Sequence, residues 1–351
     1  MGNHGILRGW AQIRKSFATL IFLMVIASCD QNQPSMPALP SCEDNCAMIL
    51  RGCVSDHSSC QSAYLSCMEQ CGGGSHNATK PYFTSVWGSS KEDVFVIGCG
   101  IILHYDGTNW TSTPNVSQYS LSALWGSSGG DVFAVGSGSV LHYDGKGWSP
   151  MAEFSGTDVW GCSDSVVYAV GGNALQHYNG KEWVTKASFS NAGLNAVWCS
   201  SANDIFVVGN RILHWGGIKP WIDMTIDADL LLVAVWGSSG NNIYAVGWVS
   251  GTPSILHYNG AEWGVMVNNT HAALNDVWGC SGSDVYAVGC NGTVLHYDGT
   301  KWTAMTSGTK SWLLSVWGSS SQDVYAVGED STIIHFDGSK WASMTTLAVS
   351  Q

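Results

Sequence analysis

One block recurs seven times along the chain and restricts it more than any other feature. Its clearest copy runs from Leu314 to Trp341, L-S-V-W-G-S-S-S-Q-D-V-Y-A-V-G-E-D-S-T-I-I-H-F-D-G-S-K-W. A leading tryptophan returns at Trp87, Trp125, Trp160, Trp198, Trp236, Trp278 and Trp317, at intervals of 38, 35, 38, 38, 42 and 39 residues. A histidine follows each at His104, His142, His177, His214, His257, His296 and His335, and a closing tryptophan at Trp110, Trp148, Trp183, Trp221, Trp263, Trp302 and Trp341. Within a copy the segments are short, rich in β-branched and aromatic residues and separated by turn formers, which reads as strands. In residues 274–305 they are LNDVWG, DVYAVG, TVLHY and KWTAM, with Asp298-Gly299 making the tight turn before the last. A period near 40 built from four short strands predicts a radial array of small sheets, an all-β, seven-bladed β-propeller with four-stranded antiparallel blades over 81–351. Both faces of each blade are apolar because each packs against two neighbours.

Composition agrees: only 11% of the 351 residues are charged, glycine reaches 42, and helix-style Lys/Glu periodicity is nearly absent. Net charge is −12, and residues 81–351 alone carry nine Lys/Arg against 21 Asp/Glu, again −12. An acidic surface without a basic stripe repels a phosphate backbone, so nucleic acid is excluded as a partner.

The block aVWGSS-x-x-DVYAVG-x-x-G-x-x-LHYDG-x-x-W resembles bacterial Asp-box propellers and photosynthetic assembly-factor repeats over residues 83–346. The usual Asp-box has one more residue between Asp and Gly than this block. The resemblance implies architecture and little about activity. The first copy opens on an inner strand near Phe83 and the last ends on an outer strand near Trp341, so each blade is built from contiguous chain. Blade seven is then expected to meet blade one by side-chain packing alone. Seven histidines on third strands stand too far from the axis to share an ion. Each is expected to bond within its blade, to the Asp before the second strand (Asp323 for His335) or to the W-G-S-S serine, similar to the Asp–His–Ser/Thr–Trp network of WD-repeat propellers. Blade three departs with Gly161-Cys162-Ser163, and blade four with Cys199 for glycine and Trp215 for tyrosine. Cys162 and Cys199 follow the inner strands of adjacent blades, where they could bridge; Cys99, Cys280 and Cys290 have no assigned partner.

The N-terminus reads differently. Arg8, Arg14 and Lys15 precede an apolar run from Phe17 to Ala27, too short to span a bilayer, which takes ~20 residues. Val25-Ile26-Ala27-Ser28-Cys29 resembles the lipobox of bacterial lipoproteins. That resemblance implies a signal peptide over 1–28, a diacylglycerol (palmitate-bearing) anchor on the Cys29 thiol, and residence in the bacterial cell envelope, on the periplasmic or surface side of the inner or the outer membrane. A plain signal peptide with an incidental cysteine is the competing reading. Gly2 is no myristoylation site, because Ile6 stands where Ser or Thr is needed. Residues 29–41 read as a proline-rich tether and 72–80 as a glycine-rich linker.

Between them lie Cys42, Cys46, Cys53, Cys60, Cys67 and Cys71, spaced 4, 7, 7, 7 and 4. Steps of 4 and 7 share one helical face. Two antiparallel helices turning near Val54–Ser59 would juxtapose Cys42 with Cys71, Cys46 with Cys67 and Cys53 with Cys60, one of fifteen possible pairings. The oxidising compartment implied by the signal favours disulfides over zinc, whose sites prefer closer cysteine spacing. The module is similar to twin C-x3-C helical hairpins.

Function is sought in what differs between blades. Trp248 lies in the longest insertion, between the second and third strands of blade five, and Trp312 in the connection into blade seven. Those loop classes emerge on one face, with Arg211, Asp227, Asp229, His271, Glu329 and Asp330, and aromatic rings beside polar groups suit a protein or glycan ligand. Two function classes compete: a membrane-anchored, non-catalytic protein- or glycan-binding scaffold with a monomeric propeller, and a cell-envelope glycoside hydrolase or lyase. A sialidase would need three arginines on its substrate carboxylate, and the propeller has Arg211 alone. Glu153, Glu182, Glu262 and Glu329 offer no evident acid–base pair, Glu182 and Glu262 sitting on solvated turns. No nucleophile elbow, phosphate loop or metal-spaced triad is present, and no cofactor is assigned.

Overall fold

Four short strands per repeat, each too apolar on both faces to stand in water alone, stack around an axis. The computed structural model describes residues 82–344 apart from 99, 115, 117, 219 and 269. The signal segment, Cys29, the Cys42–Cys71 module, both linkers and Cys99 lie outside the described residues. Seven four-stranded antiparallel sheets form, each in simple sequence order. Blades one to seven occupy residues 85–112, 121–152, 158–188, 196–223, 231–266, 274–305 and 313–343.

The second strand of each blade is the most protected element. In blade one, Asp93–Gly98 is followed inward by Val94, Phe95, Val96 and Ile97, all at most 1% exposed. Alternation of polar and apolar residues disappears there because each face meets a neighbouring blade. Outer strands such as Trp110–Ser112 bury their tryptophan and leave the rest in solvent. Tight turns into them follow the expected chemistry. Asp298 accepts the N–H groups of Thr300 and Lys301 at 2.8 and 2.9 Å, while Gly299 takes φ +88°.

The glycine after each leading tryptophan is a seat for its neighbour. A Cβ at Gly88, Gly126, Gly161, Gly237, Gly279 or Gly318 would lie 2.1–2.9 Å from the tryptophan ring of the preceding blade. Blade four has Cys199 at this seat. The leading tryptophan packs against the second-strand Phe or Tyr at 6.2–6.4 Å in six blades, but Trp160 makes no such pair with Tyr168. The Cys162–Cys199 disulfide joins blades three and four as expected.

Closure uses contiguous blades, as the sequence implies, but packing is not its only bond. The Phe83 N–H donates to Gly328 O at 2.9 Å, as Gly156, Leu194 and Leu232 donate to Gly136, Gly172 and Gly209 at ordinary junctions. Tyr325 Oη donates to Lys91 O at 3.0 Å, matching Tyr244 to Gly282 and Tyr286 to Ser321. The junction between first and last blades therefore repeats bonds found at several other junctions.

Candidate functional site

Three sets of polar residues are candidates for chemistry: the repeated Ser–Asp–His groups, the channel, and the loop face. In the first set, His104 Nε2 lies 2.6 Å from Asp93 Oδ1, and Ser89 Oγ donates to Asp93 Oδ2. The same arrangement holds for Ser127–Asp131–His142, Ser200–Asp204–His214 and Ser319–Asp323–His335, with His–Asp distances of 2.6–2.7 Å. Blade six keeps Asp284–His296 with Cys280 in the serine position, and blade five pairs His257 with Asn242 at 2.7 Å. Burial opposes the ionised forms of Asp204 and Asp323, but hydrogen bonds from their His and Ser partners outweigh it and hold both carboxyls below the usual range.

Blade three breaks the set. Val166 stands where the carboxylate belongs and Cys162 where the serine does, so His177 Nε2 is buried with no partner. Burial and the Lys186 ammonium lower its pKa. The closing tryptophans do not join the network either, contrary to the WD-repeat comparison. Trp183 and Trp302 donate to the sulfurs of Met151 and Met266 at 3.3 and 3.5 Å, and the indole N–H groups of Trp110, Trp263 and Trp341 are buried without partners.

The order of these groups limits what they can do. Carboxylate sits in the middle, accepting from both serine and imidazole. A serine nucleophile needs the imidazole in the middle, to take its proton. Here Ser Oγ donates to the carboxylate and has no imidazole contact, so the groups tie the first turn to the third strand.

The central channel, about 150 Å³, is lined by inner-strand residues. Two carboxylates occur there that the sequence reading did not select, Asp158 in blade three and Asp276 in blade six. Each stands two residues before a leading tryptophan, where blades two, four and five have Ala123, Ala196 and Ala234. Asp158 accepts from Val159 N–H at 2.8 Å and, across the junction, from Val197 N–H at 2.9 Å. Asp276 does the same with Val277 and Val316, at 2.8 and 2.9 Å. Ser85 and Ser315 make the one-bond version to Leu124 and Val86. Desolvation pushes Asp158 up to about 7, against those N–H bonds and aided by the charge of Asp276; desolvation pushes Asp276 up to about 6. Among the described residues no Lys, Arg or His lines the channel. A charged residue in an otherwise small, neutral register position was the available sequence signal.

The loop-face candidates are spread over several blades. Trp248 is buried, 7% exposed, with Ala273 and Cys290, and Leu231, Val233 and Trp312 pack on that cluster. It lies on the strand Asn242–Val249, paired with Leu231 and Pro253, and not on a loop. Trp312 is half-buried in the same cluster. Arg211 is engaged by Asp223 through Nε and Nη2. Asp227 accepts from Ser250 Oγ at 2.6 Å, and Asp330 from Ser311 Oγ at 3.2 Å. Asp229, His271 and Asp330 are exposed, and Glu329 is half-buried. Among the described residues no group of three or more His, Cys, Asp or Glu side chains is placed to hold a metal ion.

No protein-family model matches the chain, and no curated protein resembles it in sequence. Solved structures do resemble it in shape. YCF48 bound to a D1 peptide superposes with a TM-score of 0.61 at 16% identity, covering 74% of this chain and 94% of that one. Virginiamycin B lyase from Staphylococcus aureus gives 0.62 at 13% identity, covering 73% and 94%. The WD40 β-propeller domain of Doa1 gives 0.61 at 11% identity, covering 75% and 93%. At these identities the likeness extends to the β-propeller fold alone, and binding and lyase proteins share it.

Proposed function

We propose that the propeller is a non-catalytic protein-binding scaffold, held at a membrane of the cell envelope by a lipid on Cys29. The observation that carries this reading is the wiring of the Ser–Asp–His groups. Residue types that could serve a hydrolase are consumed, blade by blade, in holding strands together, which leaves surface variation as the carrier of function. The fold's occurrence around a bound peptide in YCF48 supports the same reading. A photo-crosslinking amino acid placed at Asp229, His271 or Asp330, one at a time, should capture a discrete protein partner in the envelope. Silence at these positions and across the remaining exposed loops would sink the scaffold reading. Cys29→Ser should abolish incorporation of labelled palmitate; retained label would remove the anchor.

A second reading, an envelope glycoside hydrolase or lyase, draws on Asp158 and Asp276, whose carboxyls hold protons far above the usual carboxylate range. Their oxygens already accept main-chain N–H bonds, and the channel is smaller than the roughly 300–1,000 Å³ of ordinary ligand sites. Turnover of envelope polysaccharides that disappears in D158N would favour this reading over the first.

A further inference from the structure

A groove of about 850 Å³ runs along the outside of blade six. One side is the outer strand Trp302–Met305, which pairs with Val294–Tyr297 and has no strand on its other edge. Alternate residues of such an edge offer unpaired N–H and C=O groups. The turn at Asn291 and Gly292, Val294 and Leu295 of the paired strand, and the connection 306–310 also line it. These walls are fixed in advance. Ser307, 5% exposed, donates to Thr309 O at 3.2 Å, and Ser311 N–H donates to Thr309 Oγ1 at 3.0 Å. A Cβ on Gly292 would lie 2.1 Å from Thr309 O, so turn and connection touch.

The lining has a charge of one sign. Exposed Lys301 and Lys310 flank it, the remaining polar groups are hydroxyls and amides such as Thr270, Thr303 and Asn268, and no Asp or Glu contributes among the described residues. Neither ammonium is within ion-pair distance of a carboxylate, unlike Lys91 beside Glu92 and Arg211 beside Asp223. Lys301 is near enough to Asp298 to lower its pKa, yet no carboxylate lines the groove itself, so on a chain of net charge −12 this hydroxyl-lined groove flanked by two lysines is complementary to an acidic ligand. The open strand edge selects a peptide over a glycan, because only a peptide backbone can continue the ladder.

We propose that the blade-six groove receives an extended acidic segment of a partner protein, which adds to the outer strand Trp302–Met305 as a fifth strand and sets its carboxylates against Lys301 and Lys310. This rests on the protein-binding reading above and specifies its surface and the partner's chemistry.

The test uses the full-length protein at low salt and fluorescence anisotropy. The probes are fluorescein-labelled decapeptides: valine alternating with glutamate, valine alternating with lysine, and the glutamate peptide with alternate amides N-methylated. The glutamate peptide should bind saturably, the lysine peptide should not, and K301E/K310E should weaken the former by about tenfold or more. N-methylation should abolish binding, because it removes the ladder donors. Absence of saturable binding, equal affinity for the lysine peptide, equal affinity in the variant or indifference to N-methylation would each overturn the proposal. Should K301E/K310E melt earlier than the parent, K301Q/K310Q serves in its place with the same expected loss. A partner crosslinked through other loops while these probes fail removes the groove and keeps the scaffold; failure of both removes the two together.

Discussion

Asp158 gives the propeller an acid-favoured term that most carboxylates do not provide. Its proton is held up to about 7 in the folded chain by desolvation, with the Asp276 charge adding to the shift, against an ordinary value of 3.8. A raised pKa means that the folded state binds the proton more tightly than the unfolded state does. The resulting stabilisation is complete below pH 3.8, declines as pH rises, and is gone above about pH 7. At about 1.4 kcal/mol per pH unit, the change is at most about 4 kcal/mol. D158N removes the titration but not for free: an amide oxygen accepts one of the Val159 and Val197 N–H groups, and the other meets an NH2, at roughly 1–3 kcal/mol independent of pH. Urea unfolding of parent and D158N from pH 4.5 to 8 should therefore show the variant weaker in acid, with the gap shrinking or reversing by pH 8. Subtracting the two curves cancels the shared carboxylates, including Asp204 and Asp323, whose lowered pKa values act in the opposite sense. A difference that stays flat across this range would refute the reasoning that places an uncompensated carboxyl in the channel.

Other perturbations follow from the packing. C162S/C199S opens a crosslink between residues 37 apart and should cost about 4 kcal/mol by the chain-entropy estimate, read as a lower urea midpoint; dithiothreitol should produce the same fall in the parent and none in the variant. Gly318→Ala puts a Cβ 2.8 Å from the Trp278 ring and should destabilise by about 1–3 kcal/mol, with a changed near-UV tryptophan signal. Asp323→Ala leaves His335 and Ser319 without their acceptor and should cost about 2–3 kcal/mol near neutral pH, less as pH falls below the ordinary carboxylate range, where the depressed Asp323 pKa no longer contributes.

The fold was legible because its signals are local and repeated. Seven leading tryptophans, six glycine seats and seven Asp/Asn-Gly or Gly-Gly turns specify a strand order that needs no long-range inference. The histidine partners were legible for the same reason, wherever the Asp or Asn survives. Blade three was only half readable. Cys162 announced a departure, but the loss of the carboxylate at Val166 goes unnoticed unless the copies are aligned residue by residue. Trp248 was misleading for a physical reason: the extra residues lengthen the strands Asn242–Val249 and Thr252–Tyr258 instead of forming a loop, so the indole sits on a paired strand and packs with Ala273 and Cys290. Asp158 and Asp276 stayed hidden because their significance is radial. Nothing along the chain says that two positions more than a hundred residues apart line one narrow tube. The blade-six groove is of the same kind, since its walls come from three separate segments.

A ring whose last joint uses the same kinds of bond as several joints in mid-chain has no special clasp where its ends meet. Phe83 and Gly328 do for the two ends what Leu194 and Gly172 do in mid-chain. A duplicated or deleted repeat would therefore inherit a working joint on each side, without a specialised clasp to reinvent. In the bore, Ser85, Asp158, Asp276 and Ser315 each accept a main-chain N–H of the next blade, so a ring with another number of sheets would have to remake those contacts at a different angle.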